Sequence, residues 1–110
     1  MITPEELLDR LKYSITTDKT GATFYRVNGE VHRDDDLPAV IFADGAKWWF
    51  QNGMLHRDND QPAVINADGY KAWHKDGMLH RDNDLPATIN ANGDKAWYQN
   101  GKCVRRDSEA

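Results

Sequence analysis

The chain has 110 residues, 39% hydrophobic and 29% charged, with a formal charge of −4. That size makes one domain with a modest core, and the acidic balance argues against general nucleic-acid binding or attachment to anionic lipid. The one cysteine, Cys103, excludes an intramolecular disulfide framework and fits a reducing compartment; with no membrane-length apolar run and no signal-peptide pattern, the expectation is a soluble, cytoplasmic protein.

Thr3-Pro4-Glu5-Glu6 reads as a helix start, with Thr3 as N-cap, Pro4 at the first helical position and Glu6 as capping-box partner. Leu7, Leu8 and Leu11 then fall on one stripe of a short helix ending near Tyr13. A polar connector follows from Thr16 to Gly21. The expected organisation is a capping helix and connector over 1–22, a repeat sheet over 23–107 and a disordered tail over 108–110.

From Phe24 to Asp107 a 24-residue unit recurs three times and starts a fourth. His32-Arg33-Asp34 returns as His56-Arg57-Asp58 and His80-Arg81-Asp82, while Pro38, Pro62 and Pro86 keep the same interval. Gly29, Gly53, Gly77 and Gly101 do so as well, as do Trp49, Trp73 and Trp97, with Tyr25 in the first copy's equivalent place. Such a period predicts supersecondary units that bury their apolar faces by stacking. Within a unit, Pro62 to Asn66 has strand composition. Asn66-Ala67-Asp68-Gly69 then reads as a type I turn with a glycine bulge, Tyr70 to His74 as a second strand, and Lys75-Asp76-Gly77 as another turn.

If Asn66 pairs with Tyr70, then Ala63, Ile65 and Trp73 share a face with their counterparts in the other copies. The predicted core is a ladder of Ile41, Trp49, Ile65, Trp73, Ile89 and Trp97 with the intervening alanines, joined by Leu55 and Leu79. The opposite face varies: Val40, Phe42, Trp48 and Phe50 in the first copy, Val64, Asn66, Ala72 and His74 in the second, Thr88, Asn90, Ala96 and Tyr98 in the third. Its apolar N-terminal end is expected to lie under the helix; left open, it would be an anchor for a partner.

Asn52-Gly53-Met54-Leu55-His56 and Ala67-Asp68-Gly69-Tyr70-Lys71-Ala72-Trp73 resemble the MORN repeat, a stacked β-hairpin unit of about 23 residues. The chain departs from it after the histidine, where Arg57-Asp58-Asn59-Asp60 and Pro62 replace a Gly-x-Gly stretch. It is more similar to the tryptophan-rich Asn-Gly-x-x-His-Arg … Pro-Ala repeats of phage, large-DNA-virus and bacterial proteins. The resemblance implies protein–protein contacts or self-association and no catalytic residues. It also implies, for a small phage-type protein, an inhibitor of a host defence protein.

Other chemistry is weaker. A kinase catalytic loop fails for want of a phosphate loop and a strand lysine. The His56, Asp58, Asp60 and His80, Asp82, Asp84 clusters lack the glycine and closing glutamate of a calcium loop. Arg57 and Arg81 compete there as internal counter-charges, so the aspartates are expected to cap local turns and to pair with arginine along the stack. DNA mimicry by Asp34, Asp35 and Asp36 is diluted by the same arginines, the aromatic-glycine pattern has the wrong period for a choline-binding module, and Cys103 stands where Leu55 and Leu79 stand, as a small apolar residue.

The expected fold is all-β, a single-layer antiparallel meander of stacked 24-residue hairpins with about seven or eight strands and one N-terminal helix. The expected function is non-enzymatic interaction with a protein partner, using Phe42, Trp48, Phe50, His74 and Tyr98, with Asp34, Asp35 and Asp36 at the rim. A homodimer or self-associating structural protein is the alternative, and a small metal-dependent or ligand-binding protein using the His-Arg-Asp clusters is a further one. No catalytic residue, metal, cofactor, direct nucleic-acid contact or membrane contact is assigned.

Overall fold

A computed structural model describes residues 2–107; the tail assigned to 108–110 lies outside the described residues. The molecule is elongated, 52 × 24 × 21 Å. Helix α1 spans Pro4–Lys12, with the Thr3 hydroxyl accepting a hydrogen bond from the Glu6 amide and Pro4 in the first turn. Its leucines do not cover the sheet: Leu7, Leu8 and Leu11 are 48%, 65% and 76% exposed. Polar contacts hold it instead, Arg33 to Asp9 at 3.3 Å, Lys12 to Asp34, and the Asp34 amide to the Tyr13 hydroxyl at 2.9 Å. No helix is long and apolar enough to cross a membrane among the described residues.

The remaining elements are strands. They are β1 (Ser14–Thr17), β2 (Thr23–Val27), β3 (Glu30–Val31), β4 (Val40–Ile41), β5 (Lys47–Trp48), β6 (Phe50–Gln51), β7 (Met54–Leu55), β8 (Val64–Ile65), β9 (Lys71–Ala72), β10 (His74–Lys75), β11 (Met78–Leu79), β12 (Thr88–Ile89), β13 (Lys95–Gln99) and β14 (Lys102–Asp107). Most form one antiparallel sheet in the order β1-β2-β4-β5-β8-β9-β12-β13-β14, with β3 on β2; β6-β7 and β10-β11 are separate ribbons. The expected all-β meander is present. The strand count is higher than expected because two predicted long strands break at their tryptophans, β5 from β6 at Trp49 and β9 from β10 at Trp73, and short strands β3, β7 and β11 follow the turns; β13 runs through Trp97 unbroken. The edge strand β1 takes in Thr16 and Thr17, expected as the start of the connector, and pairs with Thr23–Arg26.

Two turn types set the register. At the β8-β9 tip the Gly69 amide donates to the Asn66 carbonyl at 3.1 Å and the Asn66 amide to the Tyr70 carbonyl at 2.9 Å. Gly69 takes φ +98°, so the tip is the bulged turn expected, and Val64 faces Ala72. The second turn joins β10 to β11 in two residues, Asp76 and Gly77, both at positive φ. That geometry matches strand twist and favours Asn-Gly or Asp-Gly, which Asn28-Gly29, Asn52-Gly53 and Asn100-Gly101 supply elsewhere.

The core only partly follows the expected ladder. Trp49, Trp73 and Trp97 are 7–8% exposed and Ala39, Ala63 and Ala87 are 0% exposed, as the register requires. Ile41, Ile65 and Ile89 share that face but are half-buried, because each pairs with an exposed lysine (Lys47, Lys71, Lys95) in the row nearest the tips. The opposite, varying face, with its apolar end expected to lie under the helix, contributes the buried row Val40, Val64, Ala72, Thr88 and Ala96. Copy-to-copy variation there reflects packing as much as display.

Candidate partner-binding surface

The repeated His-Arg-Asp segments form loops over the tryptophan face, and almost all of their chemistry is spent internally. His56 accepts the Asp76 amide at Nδ1 (3.1 Å) and approaches Asp58 with Nε2 (2.8 Å). His32 and His80 do the same with the Asn52 and Asn100 amides and with Asp34 and Asp82. An Nδ1 that accepts a backbone N–H leaves Nε2 as the ring donor, so each imidazole is fixed in one tautomer and ties its own loop to the next turn. The arginines make a second tie. Arg57 lies 3.8 Å above the Trp49 ring, donates from Nε and Nη2 to Asp36 at 2.8 and 3.2 Å, and reaches the Pro62 carbonyl from Nη1 at 3.1 Å. Arg81 repeats this over Trp73 with Asp60 and Pro86.

Arginine-aspartate pairing along the stack was legible in the sequence. The expected capping of local amides by these aspartates is not what forms. Asp58 and Asp82 meet histidine, and the caps occur instead at the hairpin tips, where Asp44 and Asp68 accept the Ala46 and Tyr70 amides at 2.9 Å. The loop turns are made by residues with positive φ, Asp35-Asp36, Asn59-Asp60 and Asn83-Asp84, a conformation that Asn and Asp tolerate. Among the described residues no group of three or more His, Cys, Asp or Glu is placed to hold a metal ion.

The rim residues are therefore largely committed. Asp34 binds Lys12 and His32, which together hold its carboxyl below the usual carboxylate range, and Asp36 is held low by Arg57. Asp35 sits exposed at the turn between them, and all three line a cleft of about 260 Å³ with Trp49, Gln51 and the next loop. A second cleft of about 240 Å³ between the following loops includes His74.

Of the predicted partner-binding residues, the structure joins Phe42 and Trp48, whose rings meet edge-to-face at 4.8 Å, both half-buried. Phe50 and His74 fall beyond the strand breaks, and Tyr98 lies within β13 just past a register shift: Phe50 pairs with Leu55 in one ribbon, His74 with Leu79 in the other, and Tyr98 with Cys103 at the β13-β14 irregularity. The five residues do not form one row. His74 is half-buried with Nδ1 unpartnered, and burial pushes its pKa below the usual histidine value, a backbone bond at Ala72 offsetting part of this. Sequence reasoning missed Asp44, Asn66 and Asp68, which join Phe42, Ala46 and Trp48 around a cleft of about 400 Å³; Trp48 Nε1 donates to Asn66 Oδ1 at 2.9 Å. The signal was available in the register, which puts position 66 beside position 46 across from the Phe42-Trp48 pair.

In comparison with known proteins, the chain matches no family model, no curated protein and no solved structure.

Proposed function

We propose that this protein is a non-enzymatic protein–protein interaction module built from stacked, MORN-like 24-residue hairpin repeats, acting in the cytoplasm. Its specialised role would be that of a phage-type inhibitor that binds and blocks a host defence protein. The reading rests on one observation. The histidine, arginine and tryptophan common to the copies are used up in joining each copy to the next, as Arg57 joins Asp36, Trp49 and Pro62. What is left for recognition is the copy-specific set, above all the half-buried Phe42-Trp48 pair. A fixed frame with variable, aromatic, solvent-facing positions is what a binding scaffold needs, whereas catalysis needs a unique polar site with free proton-transfer groups. The resemblance between the repeat sequence and phage and viral repeat proteins supports the inhibitor role.

Affinity capture from a host lysate, with mass spectrometry and a Trp48→Ala/Phe50→Ala control, tests the reading. A partner retained by the native protein and lost by the control, with unchanged circular dichroism, supports it; identical profiles for the two proteins refute it. Self-association is the second reading, favoured by the two sheet edges: β1 is exposed throughout, as is β14 apart from Cys103. Light scattering across a dilution series separates the two, because only self-association makes the mass depend on concentration.

A further inference from the structure

Four aromatic rings carry an arginine of the same ladder over their faces: Arg33 over Tyr25, Arg57 over Trp49, Arg81 over Trp73 and Arg105 over Trp97, at 3.8–4.2 Å. In the two middle cases an aspartate closes on the same guanidinium. Among the described residues Trp48 is the one tryptophan without such a cation. Yet it has the other two parts of the arrangement, a fixed ring and nearby carboxylates. The bond from Nε1 to Asn66 holds the indole, Phe42 braces it edge-on, and Asp44 and Asp68 border the same cleft.

The hairpin tips are also acidic. They carry Asp18, Asp44, Asp68 and Asp94 against Lys19 alone, while Lys47, Lys71 and Lys95 pair with the isoleucines on the other face. Asp44 and Asp68 each use one oxygen on their own turn, leaving the second available. The Phe42-Trp48 cleft adjoins a further one of about 520 Å³ that shares Asn66 and Asp68 and adds Tyr70 and Asn90. The floor is thus a groove running across successive hairpins rather than one isolated pit.

We infer that this row of tips is the docking groove for a basic segment of the partner protein, one arginine or lysine lying on the Trp48 ring and pairing with one of Asp44 and Asp68, and a second cation three residues away pairing with the other. The inference rests on the interaction reading above and specifies the partner's chemistry. A cation over an aromatic face is attracted by the ring quadrupole, more so with a carboxylate in reach. Asp44 and Asp68 lie on hairpins two strand spacings apart, about 9.5 Å. In a polyproline II segment, residues three apart are separated by about 9.3 Å, so cations at that spacing reach both carboxylates.

The probe is the peptide acetyl-Arg-Pro-Pro-Arg-amide. The readout is the Trp48 indole N–H resonance in a nitrogen–proton correlation spectrum, assigned with Trp48→Phe, and the control is the same peptide with citrulline in place of arginine. Saturable movement of that resonance by the arginine peptide supports the inference. So does binding roughly tenfold weaker in Asp44→Asn/Asp68→Asn, and weakening as salt rises from about 50 to about 300 mM. No movement at about 2 mM peptide, equal binding of the citrulline peptide, or unchanged binding by the double variant overturns it. A captured partner that needs Trp48 but not Asp44 and Asp68 would sink the cationic inference and leave the interaction reading standing. Loss of capture by neither variant sinks the interaction reading itself.

Discussion

Arg81 is the side chain on which the stacking argument can be tested most sharply, because it makes three contacts at once. Its guanidinium lies 3.9 Å over Trp73, Nε and Nη2 meet the Asp60 carboxylate at 2.8 and 3.2 Å, and Nη1 reaches the Pro86 carbonyl at 3.0 Å. The side chain is only 13% exposed, whereas that of Asp60 is 51% exposed. The ring contact is worth about 1 kcal/mol and the carbonyl bond from a charged donor about 1.5 kcal/mol. The solvent-screened ion pair adds about 0.5 kcal/mol. Arg81→Ala should therefore cost about 3 kcal/mol, lowering the urea midpoint by about 2 M for a slope near 1.5 kcal/mol per M. Arg81→Lys keeps the charge but loses the planar fork and the stack, and should recover less than half of that loss. Tryptophan fluorescence in urea measures both, with the exposed Arg106→Ala as a control expected to change stability by less than about 0.5 kcal/mol. A lysine variant as stable as the native protein, or an alanine variant losing less than about 1 kcal/mol, would refute the claim that these arginines clamp neighbouring copies.

Three further outcomes follow from the same contacts. The Asp36 and Asp60 carboxyls are held below 3.8 chiefly by hydrogen bonds from Arg57 and Arg81. The unfolded chain therefore takes up these protons first. Their contribution is complete well above pH 3.8 and is lost as pH falls through that value towards the folded one; the urea midpoint of Asp36→Asn/Asp60→Asn should accordingly fall less on acidification than that of the native protein. His74, whose pKa lies below 6.5 through burial, binds its proton more readily when unfolded, so stability at this site is full above pH 6.5 and declines below it. His74→Phe, the residue found at the equivalent Phe50, should raise the thermal midpoint, by more at pH 5.5 than at pH 8 on a shift of about 1 kcal/mol per buried polar atom relieved; an equal gain at both values would disprove the titration. Leu8→Ser/Leu11→Ser should leave the unfolding free energy from urea titration within about 0.5 kcal/mol of native, since both side chains are largely exposed.

The parts of the fold visible in the sequence are those set by local backbone chemistry. Gly69, Gly77 and their counterparts marked both turns because few other residues take their φ values, and the turn type then fixed the Asn66-Tyr70 register and the alanine-tryptophan face. The breaks at Trp49 and Trp73 were hidden, because a one-residue interruption leaves the alternation of apolar and polar side chains legible on either side of it. That concealed both the separate ribbons and the burial of Val40, Val64 and Ala72. The site was legible to the extent that it depends on neighbours across a hairpin, as Phe42 and Trp48 do. Where it depends on the next hairpin, the sequence placed Asn66 on the right face but not its bond to Trp48, 18 residues away, which needs the register between hairpins as well as within them. The histidine ties were hidden for the same reason, each bridging a separation of 20 residues.

The N-terminal end shows why a helix with an apolar stripe need not act by burying it. In the middle copies the ladder arginines take an aspartate from the copy before, Asp36 for Arg57 and Asp60 for Arg81. Arg33 has no preceding copy. Asp9 of α1 fills that vacancy at 3.3 Å, while the first-copy ring, Tyr25, is met edge-on by the buried Tyr13 at 5.7 Å. The helix thus ends the stack by imitating the polar half of a missing unit. This leaves Leu7, Leu8 and Leu11 exposed and the Phe42-Trp48 pair uncovered, so capping and recognition are carried out on different surfaces of the same short chain.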